Sequence, residues 1–462
     1  MPHGALAHRA KQVGYLTGKG HALLTARKFR VLLDQAENEA SELTPVMQAN
    51  VREWRRLVNR ATKLPQTLVE EFSEASSLAK SAWVQARKAS DFKRFAPHLE
   101  NLLKLTRKKA DRWGYAGGEP YDALLDEYEP SARAADISTL FDSLRPQLAV
   151  IAKAAVERSA EVPADLLAGE YPVALQQQLN REIAESLGFD FEAGRIDTTA
   201  HPFCTKLGPR DVRLTTRYDE QDFCSSLFGV LHEAGHGLYE QGLPVDDYGL
   251  PSGTAVSLGI HESQSRLWEN HVGRSRAFWQ HWLPRATELF PSLGKLSLDE
   301  FLLGIHRSEF SFIRVEADEA TYDLHILLRF GIERRLLNRE LKVKDVPAAW
   351  NDEFKSLFGL TPPDDAHGCL QDIHWSMGGL GYFPTYTLGN LNAAQLFHAA
   401  SKVPGVRASL AKADHAPLLG WLRDHVHTLG STKLPRDMMI AATGEATDAK
   451  WHLEHLRERF TR

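Results

Sequence analysis

The chain has 462 residues, of which 43% are hydrophobic and 25% charged, a balance typical of a soluble globular protein. A net charge of −5 and a pI near 6.5 give no basic footprint, which argues against nucleic acid as the main partner. The length exceeds what one hydrophobic core usually serves, so we expect either two lobes or one elongated helical body.

The N-terminus, MPHGALAHRAKQVGYL, contains no apolar segment followed by a small-residue cleavage site, so no secretory signal is expected. No stretch of the chain approaches the roughly 18 uninterrupted apolar residues of a membrane span, so no membrane partner is expected. Cys204, Cys224 and Cys369 form no C-x-x-C pair and cannot all be paired within one chain, which favours reduced thiols. We therefore predict a cytoplasmic protein.

Amphipathic helices are predicted from residue 19 to about residue 115, because apolar residues recur there at three- and four-residue spacing among charged ones. The segment VREWRRLVNRATKLPQTLVEEFSEASSLAKSAW (51–83) is an example. The glycine-rich segment GYAGGEP (114–120) ends this region, and further helices are predicted at about 135–160 and 173–187.

The helical pattern stops at 189–218, FDFEAGRIDTTAHPFCTKLGPRDVRLTTRY, where β-branched and alternating residues surround a Gly-Pro turn. This pattern predicts a short antiparallel β element. Helices resume from about residue 221, with loops at 243–253, 361–368 and 376–385. The predicted class is mainly α with one small antiparallel β element.

The helical segment LHEAGHGLYE (231–240) contains an H-E-x-x-H motif, which chance alone would produce about 0.1 times in a chain of this composition. His232 and His236 are four residues apart on one helix face, so both imidazoles can reach one zinc ion. Glu233 points in another direction and can reach a metal-bound water. The alternative is a helix with two hydrogen-bonded histidines, but burying such groups without a partner is costly.

A catalytic zinc site needs a third protein ligand and leaves its fourth position for water. Glu262, in the predicted helix AVSLGIHESQSRLWEN (255–270), can supply that ligand from a second helix. The alternative role for Glu262 is an ordinary ion pair with Arg266, four residues further on. His261 is an alternative ligand, although its side chain points about 100° away from that of Glu262.

The motif and its surroundings resemble the M32 family of metallocarboxypeptidases over about residues 115–460. The matching blocks are HEAGH (232–236), HESQSRLWEN (261–270), HPF (201–203), DVRLTTR (211–217), IRVEAD (313–318), GCLQDIHW (368–375) and GYFPTYTLG (381–389). The resemblance implies an elongated helical body with a deep active-site groove, related to neurolysin and angiotensin-converting enzyme, and a cytosolic homodimer. It further implies a single peptidase domain (1–462), with a helical lobe over the groove (1–188) and a zinc-bearing catalytic part (189–462).

The chain departs from the family at its N-terminus. Family members generally begin with an extra helical segment that carries a Trp-Asp-Gln stretch just before a Met-Pro pair, whereas this sequence starts at Met-Pro. We therefore expect the family's leading segment to be absent, with consequences for groove closure and stability but none for the zinc residues.

The predicted mechanism is hydrolysis by a zinc-bound water, from which Glu233 takes a proton and passes it to the leaving amine. Tyr386, Tyr382 and His374 are candidate donors to the developing oxyanion. The alternative for the two tyrosines is ordinary packing with satisfied hydroxyl groups.

Recognition of a free C-terminal carboxylate calls for a bidentate arginine, and the resemblance places Arg314 at the closed end of the groove. The alternative is a pair between Arg314 and Asp318 within one helix. Gln371, Asp372 and His374 either contact substrate beside Arg314 or form a satisfied buried network.

These observations predict a zinc carboxypeptidase of broad specificity that acts on peptides, with cobalt or manganese as possible metals. The β element suggests an edge strand that pairs with the substrate backbone. The alternatives are an endo- or dipeptidyl-peptidase on the same scaffold, or a non-catalytic helical binding protein.

Overall fold

A computed structural model of the chain describes residues 6–199 and 201–461. Helices dominate these residues, and the prediction of a mainly helical fold with one small sheet is confirmed. The α-helices and strands, in chain order, are α1 (Leu6–Leu24), α2 (Arg27–Asn38), α3 (Pro45–Lys63), α4 (Gln66–Ala89), α5 (Phe92–Trp113), α6 (Pro120–Tyr128), α7 (Ala134–Ser159), α8 (Val173–Ser186), β1 (Gly194–Thr198), β2 (Phe203–Gly208), β3 (Asp211–Thr216), α9 (Phe223–Gly242), α10 (Leu258–Arg266), α11 (Arg276–Leu289), α12 (Leu298–Ile305), α13 (Tyr322–Leu337), α14 (Val346–Phe358), α15 (Pro384–Ser401), α16 (Val406–Leu410), α17 (Ala416–His425), α18 (Pro435–Thr443) and α19 (Lys450–Phe460).

The helix boundaries follow local signals in the sequence. Thr44 caps α3 by accepting a hydrogen bond from the Met47 amide, and Asp91 caps α5 in the same way through the Lys93 amide. Gly114, at φ +87°, follows the last residue of α5, as expected for the glycine-rich break. Among the described helices, none combines the length and the apolar character that spanning a membrane requires.

The buried apolar residues form two clusters. The first combines residues from 68–155 with residues from 320–391 and 449–460. The second combines residues from 171–305 with residues from 393–439. Helix α15 contributes Leu388 and Leu391 to the first cluster and Ala393 and Leu396 to the second, so this one helix joins the two cores.

The sheet has the order β1-β3-β2 and is mixed rather than wholly antiparallel. Strands β2 and β3 form the expected antiparallel hairpin, closed at Arg210, whose φ is +56°. Strand β1 pairs parallel with β3, since β3 inserts between β1 and β2 after the hairpin turn. Period-two alternation identifies strands but does not determine which neighbours pair, so the parallel pairing of β1 with β3 was not predicted.

Candidate metal centre

Helix α9 presents His232 and His236 on one face, and Asp222 fixes its start by accepting hydrogen bonds from the Cys224 and Ser225 amides. Gly235 lies between the histidines, against α10. A Cβ atom there would lie 2.5 Å from the Gln264 carbonyl oxygen and 2.6 Å from the Ser265 Cα. The missing side chain therefore lets the backbones of α9 and α10 approach closely enough for Glu262 to reach the histidines.

Glu262 Oε2 lies 3.6 Å from His232 Nε2 and 3.5 Å from His236 Nε2. Bonds of 2.0–2.1 Å to a tetrahedral zinc ion would separate the ligand atoms by about 3.3 Å, so only small adjustments are needed to hold one ion. Within the described ranges, no other group of three such side chains meets the geometry required of a metal site. The three residues expected to bind metal are thus brought together.

Glu262 also forms the ion pair with Arg266 that the sequence offered as an alternative. The Arg266 Nε atom lies 2.7 Å from Glu262 Oε1, while Oε2 faces the imidazoles and accepts a hydrogen bond from Ser265 Oγ. Burial alone would raise the pKa of Glu262, but the Arg266 guanidinium and the two imidazoles outweigh burial and hold that pKa well below its usual range. The arginine pair and the metal-facing role are therefore compatible.

The outer nitrogens of the two histidines have defined partners. His232 Nδ1 lies 2.9 Å from Glu269 Oε2, in a π-helical turn (Leu267–Val272) that continues α10. His236 Nδ1 lies 3.1 Å from the main-chain oxygen of His261. The His261 ring lies on this same outer side, with its Nδ1 2.6 Å from His236 Nδ1, so it faces away from the three ligand atoms.

Glu233 is buried beside the histidines, and its Oε2 atom has no hydrogen-bond partner among the described residues. Burial raises the pKa of Glu233 to about 7, against the opposing influence of His232. A carboxylate with a pKa near the working pH and an unsatisfied oxygen is suited to exchanging protons with a bound reactant.

An aromatic wall formed by Tyr382, Tyr386 and His374 lies at the start of α15. The Tyr386 hydroxyl lies 3.4 Å from His374 Nε2, and the Tyr382 and Tyr386 rings are 5.4 Å apart. Tyr386 precedes Gly389 by one helical turn, and a Cβ at Gly389 would lie 2.4 Å from Glu262 Cγ. Tyr386 therefore lies on the part of α15 that touches Glu262, and Tyr382 and His374 contact Tyr386 from the segment before the helix.

His374 is neutral near pH 7, because burial lowers its pKa to about 4. Its Nδ1 atom has no hydrogen-bond partner within the described residues and lies 4.0 Å from Asp372 Oδ1. A neutral imidazole retains one N–H donor, so this side chain can donate a hydrogen bond at neutral pH.

Arg314 is buried and held by three partners. Its Nε donates to Asp372 Oδ1 at 2.9 Å, its Nη1 to the Tyr322 hydroxyl at 2.8 Å, and its main-chain amide to Gln371 Oε1 at 2.8 Å. The alternative pair with Asp318 does not form, because Arg314 begins a short 3₁₀ turn and Asp318 accepts amide hydrogen bonds instead.

Asp372 is shared between two arginines, since Arg329 Nε lies 2.6 Å from its other oxygen. Two guanidinium groups around one carboxylate leave a surplus positive charge in a buried region. Gln371 donates to three main-chain oxygens besides accepting from Arg314, so its hydrogen-bonding capacity is used within the protein. Gln371 and Asp372 thus support Arg314 as members of a buried polar network.

Sequence reasoning missed three residues of this region, Glu269, Tyr322 and Arg329, and it offered the Arg266 pair only as an alternative to metal binding by Glu262. Glu269 follows Glu262 at helical spacing, which is the signal that could have found it. Tyr322 lies between the two groups of residues, with Arg266 4.6 Å from its ring centroid and its hydroxyl bonded to Arg314. No pattern in the sequence indicates Tyr322 or Arg329.

Strand β2 lies beside α9, and only β3 pairs with it among the described strands. Cys204 and Lys206 lie on one side of β2, and Lys206 Nζ is 3.2 Å from the main-chain oxygen of Glu240 on α9. One edge of β2 is therefore not used by another strand of the described chain.

The sequence model of the carboxypeptidase Taq (M32) metallopeptidase family matches residues 1–460. Thermostable carboxypeptidase 1 of Thermus thermophilus is 42% identical over 471 aligned positions, covering 100% of this chain and 92% of the relative. Carboxypeptidase 1 of Bacillus subtilis is 36% identical, with the same coverage of 100% and 92%. The crystal structure of an M32 carboxypeptidase from Deinococcus radiodurans superposes with a TM-score of 0.96 at 39% identity, covering 100% of this chain and 93% of that one.

Proposed function

Because this chain belongs to the M32 family of metallocarboxypeptidases, we propose that it removes C-terminal residues from peptides with zinc as its metal and Glu233 as general base. The metallocarboxypeptidase activity follows from the family. We propose in addition the identity of the metal, the roles of individual residues and a broad specificity.

The convergence of His232 Nε2, His236 Nε2 and Glu262 Oε2 carries the proposal. Two nitrogens and one carboxylate oxygen form a donor set that suits zinc and leaves a coordination place free, and cobalt or manganese can fit the same set. A divalent ion held there would supply Lewis acidity, which polarises a peptide carbonyl and makes water more acidic.

Glu233 takes a proton from the attacking water and delivers it to the leaving amine. Its unpartnered Oε2 and its pKa of about 7 support this role, because such a carboxylate both accepts and returns a proton near neutral pH. The burial of Glu233 keeps bulk water from competing for that proton.

Tyr386, Tyr382 and His374 stabilise the oxyanion that develops on the carbonyl. All three lie in the aromatic wall beside Glu262, and the neutral His374 imidazole keeps one N–H group that can donate. Their contacts with one another hold these donors in place before the substrate binds.

Arg314 binds the C-terminal carboxylate of the substrate, assisted by Gln371 and Asp372. The support is the surplus positive charge of Arg314 and Arg329 around Asp372, which a substrate carboxylate would neutralise. Asp372 and Tyr322 hold the Arg314 guanidinium in one position, so its side chain loses little conformational entropy when the substrate binds.

The free edge of β2 pairs with the main chain of the substrate. Its position beside α9 and the absence of a second strand partner in the described chain support this role. Main-chain pairing does not depend on particular side chains, and a broad specificity is therefore expected.

We also propose a cytoplasmic homodimer in which residues 1–462 form one peptidase domain, divided at residue 188 into a lobe over the groove and a zinc-bearing part. The three cysteines are unpaired, as a reducing compartment requires. Light scattering should give a mass of about twice 51.8 kDa for the dimer.

The decisive experiment compares one peptide with a free C-terminal carboxylate and its amidated form. We expect release of the last residue from the free acid alone, because Arg314 has no anion to bind in the amide. Equal cleavage of both forms would favour the endo- or dipeptidyl-peptidase alternative.

The matched variants are Glu233→Gln and Glu262→Ala, with zinc content measured in both. Glu233→Gln should keep its zinc and lose about 10²–10⁴ in rate, as is typical when a general base is removed. Glu262→Ala should lose zinc occupancy. Full zinc retention in Glu262→Ala would mean that the third ligand is assigned wrongly.

A further inference from the structure

The outer nitrogens of the two metal-facing histidines have different kinds of partner. His232 Nδ1 faces a carboxylate, that of Glu269, at 2.9 Å. In the described chain, His236 Nδ1 lies 3.1 Å from the main-chain oxygen of His261 and 2.6 Å from His261 Nδ1. A histidine thus occupies the place beside His236 that a carboxylate occupies beside His232.

The proton positions in this pair follow from the chemistry of imidazole. A neutral His236 that offers Nε2 to a metal must carry its proton on Nδ1 and donate it outward. His261 Nδ1 accepts that proton only when it carries none of its own, because two N–H groups facing each other at 2.6 Å would repel. His261 must then carry its proton on Nε2.

Glu240 favours this tautomer of His261. Its Oε1 lies 3.0 Å from His261 Nε2, and an ionised carboxylate only accepts hydrogen bonds, so Nε2 must donate. Glu240 lies one turn beyond His236 on α9 and is held from β2 by Lys206, whose Nζ is 3.7 Å from the other carboxylate oxygen. The side chains of Lys206, Glu240 and His261 are each less than one-fifth exposed, so water competes weakly for these bonds.

We propose that Glu240 is a positioning residue for the metal centre. By fixing the tautomer of His261, it makes the His261 ring accept from His236 Nδ1, and the lone pair of His236 Nε2 is then directed at the metal. Glu240 is not one of the three residues that converge on the candidate metal site, and it acts through His261. The inference rests on the proposed metal centre, and metal affinity is the property that it predicts.

The experiment measures the zinc dissociation constant of the full-length apo enzyme by competition with a chromophoric chelator at one fixed pH. Glu240→Leu should raise this constant about 10- to 100-fold, the usual effect of losing the partner of a metal-binding histidine. Glu240→Gln should stay within a few-fold of wild type, because its amide oxygen still accepts from His261 Nε2. Gln241→Leu should leave the constant unchanged, because Gln241 is the next residue of α9 and bonds to Asp190 instead.

A double-mutant cycle separates this role from general damage to α9. His261→Phe should itself weaken zinc binding, and adding Glu240→Leu to it should change the constant no further. Independent effects of the two substitutions, or a Glu240→Gln variant as weak as Glu240→Leu, would overturn the proposal. Unfolding curves of the apo variants identify any that fail to fold. If Glu240→Leu is one of them, the zinc dissociation constants of the single variants Glu240→Gln and His261→Phe test the proposal. A wild-type enzyme that binds no divalent ion would instead refute the metal centre itself.

Discussion

One oxygen of the Glu262 carboxylate accepts a hydrogen bond from Arg266, and the other faces the imidazoles of His232 and His236. The arginine holds Glu262 ionised without a metal, because a buried carboxylate would otherwise favour its neutral form. Arg266 is in turn shared with Glu269, the carboxylate that orients His232. The Arg266 guanidinium therefore positions Glu262 directly and His232 through Glu269.

Tyr322 joins this group to the arginine proposed to bind substrate, and Tyr322→Phe tests the connection. The substitution keeps the ring beneath Arg266 but removes the hydroxyl that accepts from Arg314. Losing a hydrogen bond to a charged group costs about 1.5–3 kcal/mol, so we expect KM to rise roughly 10- to 150-fold. The kcat should change little, because the interaction serves binding in the ground state and transition state alike. Steady-state kinetics on one peptide measure both constants.

Tyr386→Phe is the matched control, because it makes the same chemical change, the loss of one tyrosine hydroxyl, in the neighbouring aromatic wall. Loss of an oxyanion donor typically lowers kcat about 10²- to 10³-fold, so its effect should fall on kcat rather than KM. A Tyr322→Phe enzyme with a lowered kcat and an unchanged KM would contradict the assignment of Tyr322 to carboxylate binding.

Among the individual site residues, sequence spacing predicted only those of the candidate metal site, which lie on α9 and α10. His232 and His236 followed from their four-residue spacing on one helix, and Glu262 was chosen as the third ligand on the next predicted helix. The three residues do cluster. Arg314 and Asp372 meet across 58 positions of sequence, and Arg329 joins them from a third segment. Such contacts depend on how whole helices pack, which a single sequence does not reveal.

Helices α9, α10 and α15 pack closely enough that two glycines determine their separation. Gly235 admits the backbone of α10, and Gly389 admits the side chain of Glu262. The candidate metal centre therefore depends on the close approach of these helices as much as on the three side chains that converge there.

Gly235→Ala tests this dependence. The added Cβ would meet backbone atoms at 2.5 and 2.6 Å, which no side-chain rotation can relieve. We expect a loss of about 1–3 kcal/mol in the free energy of unfolding. A roughly tenfold weaker zinc affinity should accompany it, as when support around a ligand is lost. Urea unfolding and chelator competition measure the two effects.

Gly331→Ala is the control at the element scale. Gly331 lies inside α13, and a Cβ there would meet no atom within 4 Å. Alanine should stabilise this helix by about 0.5–1 kcal/mol through its higher helix propensity and leave zinc affinity unchanged. Equal behaviour of the two variants would show that close packing at Gly235 is unimportant.

Helices were the most predictable elements, because their three- and four-residue spacing is a local property. The predicted helices at 135–160 and 173–187 correspond to α7 and α8, and the predicted loops separate the later helices. The π-helical turn after α10 was not predicted, although it carries Glu269. Its extra residue per turn arises from packing and leaves no periodic signal in six residues.

The two hydrophobic cores meet along α15, which passes from one to the other near Asn392. Gly389, the contact of Glu262, lies just before that crossing. The candidate metal centre thus lies where the cores adjoin, so its geometry depends on both. Conditions that destabilise either core should therefore also weaken the site.

Acid is such a condition, because it charges histidines that the fold buries in their neutral form. Burial lowers the pKa of His306 and His427 from 6.5 to about 3. In the unfolded chain these residues take up protons as the pH falls below 6.5, whereas the folded protein resists until about pH 3. Their contribution to stability is therefore complete above pH 6.5 and is lost as the pH decreases. Glu129 and Glu333, with pKa values raised to about 7 by burial, act in the opposite direction.

His427→Gln isolates one histidine from these opposing effects. Gln264 Oε1 accepts from His427 Nε2 at 2.9 Å, and a glutamine amide can replace that donor without a titratable group. When the pH falls from 6.5 to 5, each such histidine should lower the free energy of unfolding by about 2 kcal/mol. Urea unfolding at pH 6.5 and at pH 5 gives the free energy of unfolding at each pH. Between them, the variant should lose about 2 kcal/mol less of this free energy than wild type. His306→Gln should behave alike, since the main-chain oxygen of Arg274 accepts from that half-buried imidazole. Two variants with the pH dependence of wild type would place the acid sensitivity of the fold in other groups.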